Sequence, residues 1–230
     1  MGKLILKSNF QYFFLDLDDT LYEYEPCNKL GIQNFISYCQ ANLGISEVEA
    51  LSQFQSARKI INQRLHGQAA SHSRLLYAKE FCEKIGIDAS NHAIAMESSY
   101  WEPFLNQMKL RENALEFLRL LKRNTKKIAI VTDLTTKVQL EKLKRLEINS
   151  FIDVIITSEE AGAEKPSTSI FQLAADKLEI VKDRTVMIGD NYEKDILGAQ
   201  NFGISAFWYN ETEITPNSIS SFSKAIELFI

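Results

Sequence analysis

Five short apolar runs punctuate the chain: Tyr12–Leu15, Ile128–Val131, Val154–Ile156, Val186–Ile188 and Ile204–Trp208. Each is of strand length. Most are unbroken rather than alternating, as expected of strands buried on both faces of a parallel sheet. Helical spacing fills the intervals around the later runs. Arg111–Lys122 aligns Leu115, Leu118 and Leu121, Thr136–Leu146 aligns Val138, Leu143 and Leu146, and Ser169–Leu178 aligns Ile170, Leu173 and Ala174. Glu193–Asn201 follows the fourth run. Strand alternating with helix predicts an α/β fold with right-handed crossovers.

The interval between the first two runs differs. From Glu23 to Met108 it contains helical patterns only. Asn28–Leu43 spaces Leu30, Phe35, Ile36 and Cys39 helically. Ser46-Glu47-Val48-Glu49 is a capping box that predicts a helix from Ser46 toward Leu65. His72–Ile85 is a third segment and Asn91–Tyr100 a fourth, which Pro103 is expected to end. Such an insertion is too long for a simple crossover. It predicts a helical cap over residues 23–108, on a core built from 1–22 and 109–230. Glu211–Ser223 reads as an exposed loop before a short final helix.

Composition narrows the class. The 230 residues are 24% charged and 45% hydrophobic, with a formal net charge of −4, ordinary for a folded chain. No large positive field favours a nucleic-acid polymer as partner. Cys27, Cys39 and Cys82 are widely spaced, with no CxxC pair, so neither a zinc knuckle nor a redox motif is present. No apolar run reaches the length of a membrane span. The opening Met1–Leu6 is too short in its apolar part for a signal peptide, and Leu6 stands where a myristoylation signal needs Ser or Thr. A cytoplasmic monomer or homodimer is the expectation.

Ligands of doubly wound folds bind beyond the C-terminal strand ends, and there the chain concentrates its chemistry. The first run is followed by Asp16-Leu17-Asp18-Asp19-Thr20, and the second ends at Thr132-Asp133. The loop after the third carries Glu164-Lys165-Pro166. The fourth leads into Gly189-Asp190-Asn191, with Asp195 five residues after Asp190.

In this order, Asp16-x-Asp18-x-Thr20, Thr132, Lys165 and Gly189-Asp190-x-x-x-x-Asp195 resemble the four motifs of the haloacid dehalogenase (HAD) superfamily. The resemblance spans essentially the whole chain. It implies a Rossmann-like parallel-sheet core with a helical type-one cap between the first and second motifs. It also implies a role for each motif residue. Asp16 is the nucleophile that takes up a phosphoryl group, and Asp18 is the acid and base. Thr132 donates to a phosphoryl oxygen, and Lys165 offsets developing negative charge. Mg²⁺ is held by Asp16, the Asp18 carbonyl, Asp190 and Asp195; Asp195 or Asn191 acts through a bound water.

Asp18 favours phosphoester over carbon–halogen cleavage, because an alkoxide needs a proton to leave and a halide does not. Asp133 departs from the family's usual Asn. It can turn away, accept from a core amide, or take a proton. The resemblance therefore implies a Mg²⁺-dependent phosphatase for a small phosphorylated metabolite, a nucleoside monophosphate or a sugar phosphate. The alternatives are a phosphotransferase such as a sugar-phosphate mutase, or a non-catalytic scaffold that binds a partner. In the cap, Arg58, Arg64, His66, His72 and Arg74 read most simply as a solvated face. Tyr22, Glu23 and Trp101 are candidate pocket walls.

Overall fold

A computed structural model describes residues 10–213 and 215–230; the opening segment read above for targeting signals lies outside them. Among the described residues the strands are β1 (Tyr12–Leu15), β2 (Lys127–Thr132), β3 (Val154–Thr157), β4 (Thr185–Gly189), β5 (Ser205–Tyr209) and β6 (Ser218–Ile219). All pair in parallel, in the order β3-β2-β1-β4-β5-β6. The five predicted runs all lie in this sheet. The two-residue β6 was hidden inside the predicted loop, since so short a strand has no readable period.

The unbroken apolar runs are explained by burial on both sides. Successive residues of a strand point to opposite faces. Phe13 and Leu15 therefore face one way with Ile128, Ile130, Val186 and Ile188, under Phe117, Phe222 and Phe229. Phe14 faces the other way with Ala129, Val131 and Met187, against Ile170, Phe171 and Phe202. Each fully buried Phe or Ile contributes about 1.5–3 kcal/mol.

Between β1 and β2 lie α1 (Tyr24–Leu43), α2 (Glu47–Arg64), α3 (Arg74–Ile85) and α4 (Ala89–Gln107). The Ser46 hydroxyl caps α2 by accepting from the Glu49 N–H at 3.3 Å, as the capping box predicts. Gly31 lets α1 and α4 approach closely, since a Cβ there would stand 2.9 Å from the Tyr100 ring. Pro103 does not end α4, contrary to expectation. The helix runs on because Phe104, fully buried, packs against Tyr22, Tyr24, Tyr100 and Trp101. That burial offsets the roughly 3 kcal/mol an internal proline costs.

The remaining helices flank the sheet: α5 (Ala114–Arg123), α6 (Thr136–Arg145), α7 (Ser158–Ala161), α8 (Thr168–Leu178), α9 (Gly198–Phe202) and α10 (Phe222–Phe229). A π-helical turn, Tyr192–Leu197, precedes α9. The chain steps outward from β1 to β3 on one side, then returns and steps outward from β4 to β6 on the other. The topological switch point thus falls between β1 and β4, where such folds open a crevice. No described helix is long and apolar enough to cross a membrane.

Candidate active site

Asp16 leaves β1 at the switch point. Its N–H donates to the Ile188 carbonyl of β4 at 2.9 Å, which sets it beside Gly189 and Asp190. The chain then turns sharply. Leu21 N–H bonds the Leu17 carbonyl, and Asp19 adopts a left-handed conformation (φ 58°) that Asp tolerates. The Asp19 carboxylate accepts from the Tyr24 N–H at 2.9 Å, tying the turn to the start of α1. Inside this turn the Thr20 hydroxyl lies 3.3 Å from both Asp16 Oδ2 and Asp190 Oδ1 and accepts from the Asp190 N–H at 3.1 Å.

Lys165 arrives from the loop after α7. Its buried ammonium donates to Asp16 Oδ1 at 2.5 Å and to the Val131 carbonyl at 3.0 Å, and lies 2.8 Å from Asp195 Oδ1. Asp195 comes from the π-helical turn; its Oδ2 accepts from the Asn191 N–H at 3.0 Å. Gly189 is required for this approach, since a Cβ there would fall 2.3 Å from Asp195 Oδ2. One carboxylate oxygen each of Asp16, Asp190 and Asp195 lies within 4.8 Å of the others. Asp195 Oδ1 is buried and has no hydrogen-bond donor in proper alignment. An all-oxygen trio in which Asp195 Oδ1 has only the Lys165 ammonium beside it and no aligned hydrogen bond suits a hard divalent cation.

Electrostatics mark the trio. Burial pushes Asp16 well above the usual carboxylate range; Lys165 opposes this, while Asp195, Asp190 and Asp18 add to it. Burial, then repulsion from Asp195, lifts Asp190 to about 6. Burial alone would lower Lys165, but the Asp16, Asp195 and Asp133 carboxylates more than reverse this and hold it charged.

Asp18 points elsewhere. Its carboxylate takes two hydrogen bonds from Lys142, at 2.7 and 2.8 Å, one from the Tyr22 hydroxyl, and a longer one from Gln139 at 3.4 Å. Burial raises its pKa, but the Lys142 charge and these bonds outweigh it and the net shift is downward. Lys142 is fully buried under the rings of Tyr22, Trp101 and Phe104, 5.5–5.8 Å from their centroids. Thr132 closes β2 and accepts from Gln139 at 2.7 Å. Asp133 Oδ1 accepts from the Lys165 N–H at 3.0 Å, and its Oδ2 from Lys194 at 2.8 Å. Lys194 continues to Glu164 at 3.2 Å, and Glu164 meets His72 of the helical insertion at 3.1 Å. Asp16, Asp18, Thr132, Asp133, Lys165, Asp190, Lys194, Asp195 and His72 line a cavity of about 380 Å³ whose walls come from both the sheet edge and the helical insertion.

Residues 10–203 match the model of the haloacid dehalogenase-like hydrolase family. A ribulose-1,5-bisphosphate 5-phosphatase from Halopiger xanaduensis is 37% identical over 92% of this chain and 90% of that protein. A glyceraldehyde 3-phosphate phosphatase from Methanothermobacter thermautotrophicus is 30% identical over 88% and 86%. Among solved structures, a 2-haloacid dehalogenase from Pseudomonas syringae superposes with a TM-score of 0.76 at 20% identity, over 95% of this chain and 97% of that one.

The chain belongs to the haloacid dehalogenase-like hydrolases.

Within this HAD hydrolase the sheet edge brings Asp16, Thr132, Lys165, Asp190 and Asp195 together around one cavity, which Asp18 also lines. The Asp18 carboxylate stands outside the acid trio. Asp133 neither turns away nor stands bare: it accepts from a core amide and pairs with a lysine. The sequence reading missed Lys142, Gln139 and Lys194. Lys142 and Gln139 lie one turn apart on the face of α6 that carries Val138 and Leu143, and that placement was the available signal. The cations of the helical insertion divide. Arg64 pairs with Glu80 at the surface, whereas Arg74 is buried and, with Arg58 and His72, lines the cavity rather than a solvated face. Tyr22 and Trp101 pack around the Lys142–Asp18 pair; Glu23 does not line this cavity.

Proposed function

We propose that this HAD hydrolase cleaves phosphate monoesters of small metabolites through an aspartyl phosphate on Asp16, under a cap formed by residues 23–108. The observation that carries the reading is Asp16: a buried carboxylate at the switch point, gripped by a buried lysine and facing two further acids.

A carboxylate oxygen of Asp16 attacks phosphorus, the bond to the ester oxygen breaks, and the phosphoryl group passes to Asp16. Lys165 donates to Asp16 and balances the charge spreading over the phosphoryl oxygens. Thr132, at the cavity wall, supplies a hydroxyl to one of those oxygens. Asp18 leaves Lys142, takes up a proton from water as it turns to the ester oxygen, and passes that proton on, so that an alcohol leaves. In the second half a water attacks phosphorus, its proton goes to Asp18, and the bond to Asp16 breaks, releasing phosphate. Asp16, Asp190 and Asp195, with the Asp18 carbonyl, would hold Mg²⁺. That ion would supply charge neutralisation at the phosphoryl oxygens. Cap residues exclude water while the first step runs.

The relatives support small phosphorylated substrates, with sugar phosphates favoured by the 37%-identical protein. The test is steady release of inorganic phosphate from p-nitrophenyl phosphate and ribulose 5-phosphate. Activity is expected with Mg²⁺ and is abolished by EDTA and by Asp16→Asn. Turnover that survives Asp16→Asn would overturn the mechanism. Absence of release from a broad panel of phosphate esters would overturn the function.

A further inference from the structure

The cap presents a buried cation that no carboxylate neutralises. Arg74 opens α3 and is 7% exposed. Its guanidinium donates to the His72 carbonyl at 2.6 Å, to the Tyr100 hydroxyl at 2.9 Å and to the Tyr24 hydroxyl. It also lies 4.8 Å from the Tyr100 ring centroid and 5.0 Å from that of Trp101. Both phenols pass their own protons to Asn28, so they stand as neutral acceptors. No Asp or Glu pairs with Arg74 among the described residues, and its buried Nε–H has no acceptor. The lysines of this region each have a counter-charge: Lys142 has Asp18, Lys194 has Asp133 and Glu164, and Lys165 has Asp16 and Asp195. A desolvated charge facing only dipoles and rings is costly unless an anion completes it.

Arg74 lines the same cavity as Asp16. Arg58 of α2 lines it too, and makes no ion pair or hydrogen bond among the described residues. The cavity therefore has phosphoryl-transfer groups on its sheet side and, on its cap side, two guanidinia without an ion pair among the described residues. Arginine's forked donors match phosphate and carboxylate. A leaving group without charge would leave both cations without a counter-charge.

We infer that Arg74 and Arg58 form a subsite for a second anionic group, so that the preferred substrate is a phosphate monoester whose leaving group bears another phosphate or a carboxylate. This deepens the phosphatase reading and rests on it for the identity of the reacting phosphate. Arg74 is the fixed anchor, held by its phenols. Arg58, exposed and free of partners, closes on the anion from the neighbouring helix.

The test is binding to the Asp16→Asn variant, which removes turnover, by isothermal titration calorimetry in Mg²⁺. Two matched pairs of probes differ only in the second anion: ribulose 1,5-bisphosphate against ribulose 5-phosphate, and 3-phosphoglycerate against glyceraldehyde 3-phosphate. In at least one pair the doubly anionic member binds at least about tenfold tighter. The pair that discriminates tells whether phosphate or carboxylate is read. Adding Arg58→Ala, or Arg74→Lys as the change that spares the buried charge, reduces that ratio at least about threefold. Ratios near one in both pairs overturn the subsite, as does a ratio that neither substitution moves. Turnover of p-nitrophenyl phosphate by the unsubstituted chain is read separately. If it proceeds while the ratios are near one, only the subsite fails. If it is absent while the ratios are high, the phosphatase reading fails and the anion subsite stands.

Discussion

Asp190→Asn should make the metal-free protein more stable while destroying its activity. In the native fold Asp190 is raised from 3.8 to about 6, by burial first and the Asp195 charge second. At about 1.4 kcal/mol per pH unit this corresponds to about 3 kcal/mol. Because the folded value exceeds the unfolded one, the folded chain holds the proton more tightly. That contribution is complete below pH 3.8 and is lost as pH rises through about 6. Above pH 7 the ionised Asp190 therefore weighs on the fold by about 3 kcal/mol, and a neutral Asn escapes the penalty. Asn keeps an oxygen to accept from Thr20, so the turn retains its bond. For a chain of this size about 3 kcal/mol raises Tm by roughly 6–12 °C. Thermal unfolding in EDTA, followed by circular dichroism, should show that gap at pH 7.5 and about a third of the free-energy difference at pH 4.5. Added Mg²⁺ should raise the parent's Tm and leave the variant's nearly unmoved. A variant that melts at or below the parent at pH 7.5, or a gap equal at both pH values, would refute the account of a charge-strained cluster.

Three other substitutions test separate parts of the structure. Asp18→Asn should slow the first step, transfer of the phosphoryl group to Asp16 read in a single turnover, by about 10²–10⁴ for ribulose 5-phosphate and far less for p-nitrophenyl phosphate, whose leaving group departs without a proton; equal losses in that step would remove Asp18 from the acid role. Gly189→Ala forces a Cβ to 2.3 Å from Asp195 Oδ2, so the Mg²⁺ concentration for half-maximal activity should rise about 10–100-fold; an unchanged Mg²⁺ titration would show that Asp195 does not depend on this approach. Phe14→Ala, in the central strand and fully buried, should cost about 3–5 kcal/mol in urea unfolding, and a loss below 1 kcal/mol would contradict the packing.

The sequence by itself determined the sheet and the identity of the strand-end acids. Buried parallel strands must be apolar on both faces, so β1 to β5 stand out as unbroken runs. A doubly wound sheet sends every strand end to one edge, so Asp16, Thr132, Lys165 and Asp190 could be grouped without coordinates. The Ser46 capping box was equally readable, because a cap and its partner lie three residues apart. What tertiary structure decided was pairing over long range. Lys142 and Asp18 are 124 residues apart in the chain, and Lys194 and Asp133 are 61 apart. Helical spacing reports which face a lysine occupies and not which carboxylate that face meets. Arg74 was indistinguishable from surface cations until α1 and α4 supplied the tyrosines that bury it. Pro103 could be overruled only by rings drawn from separate segments, Tyr22 and Tyr24 against Tyr100, Trp101 and Phe104. Local patterns fix local geometry; partners for buried charge are chosen by strand order and helix docking, because Coulomb attraction and desolvation depend on distance through space and not along the chain.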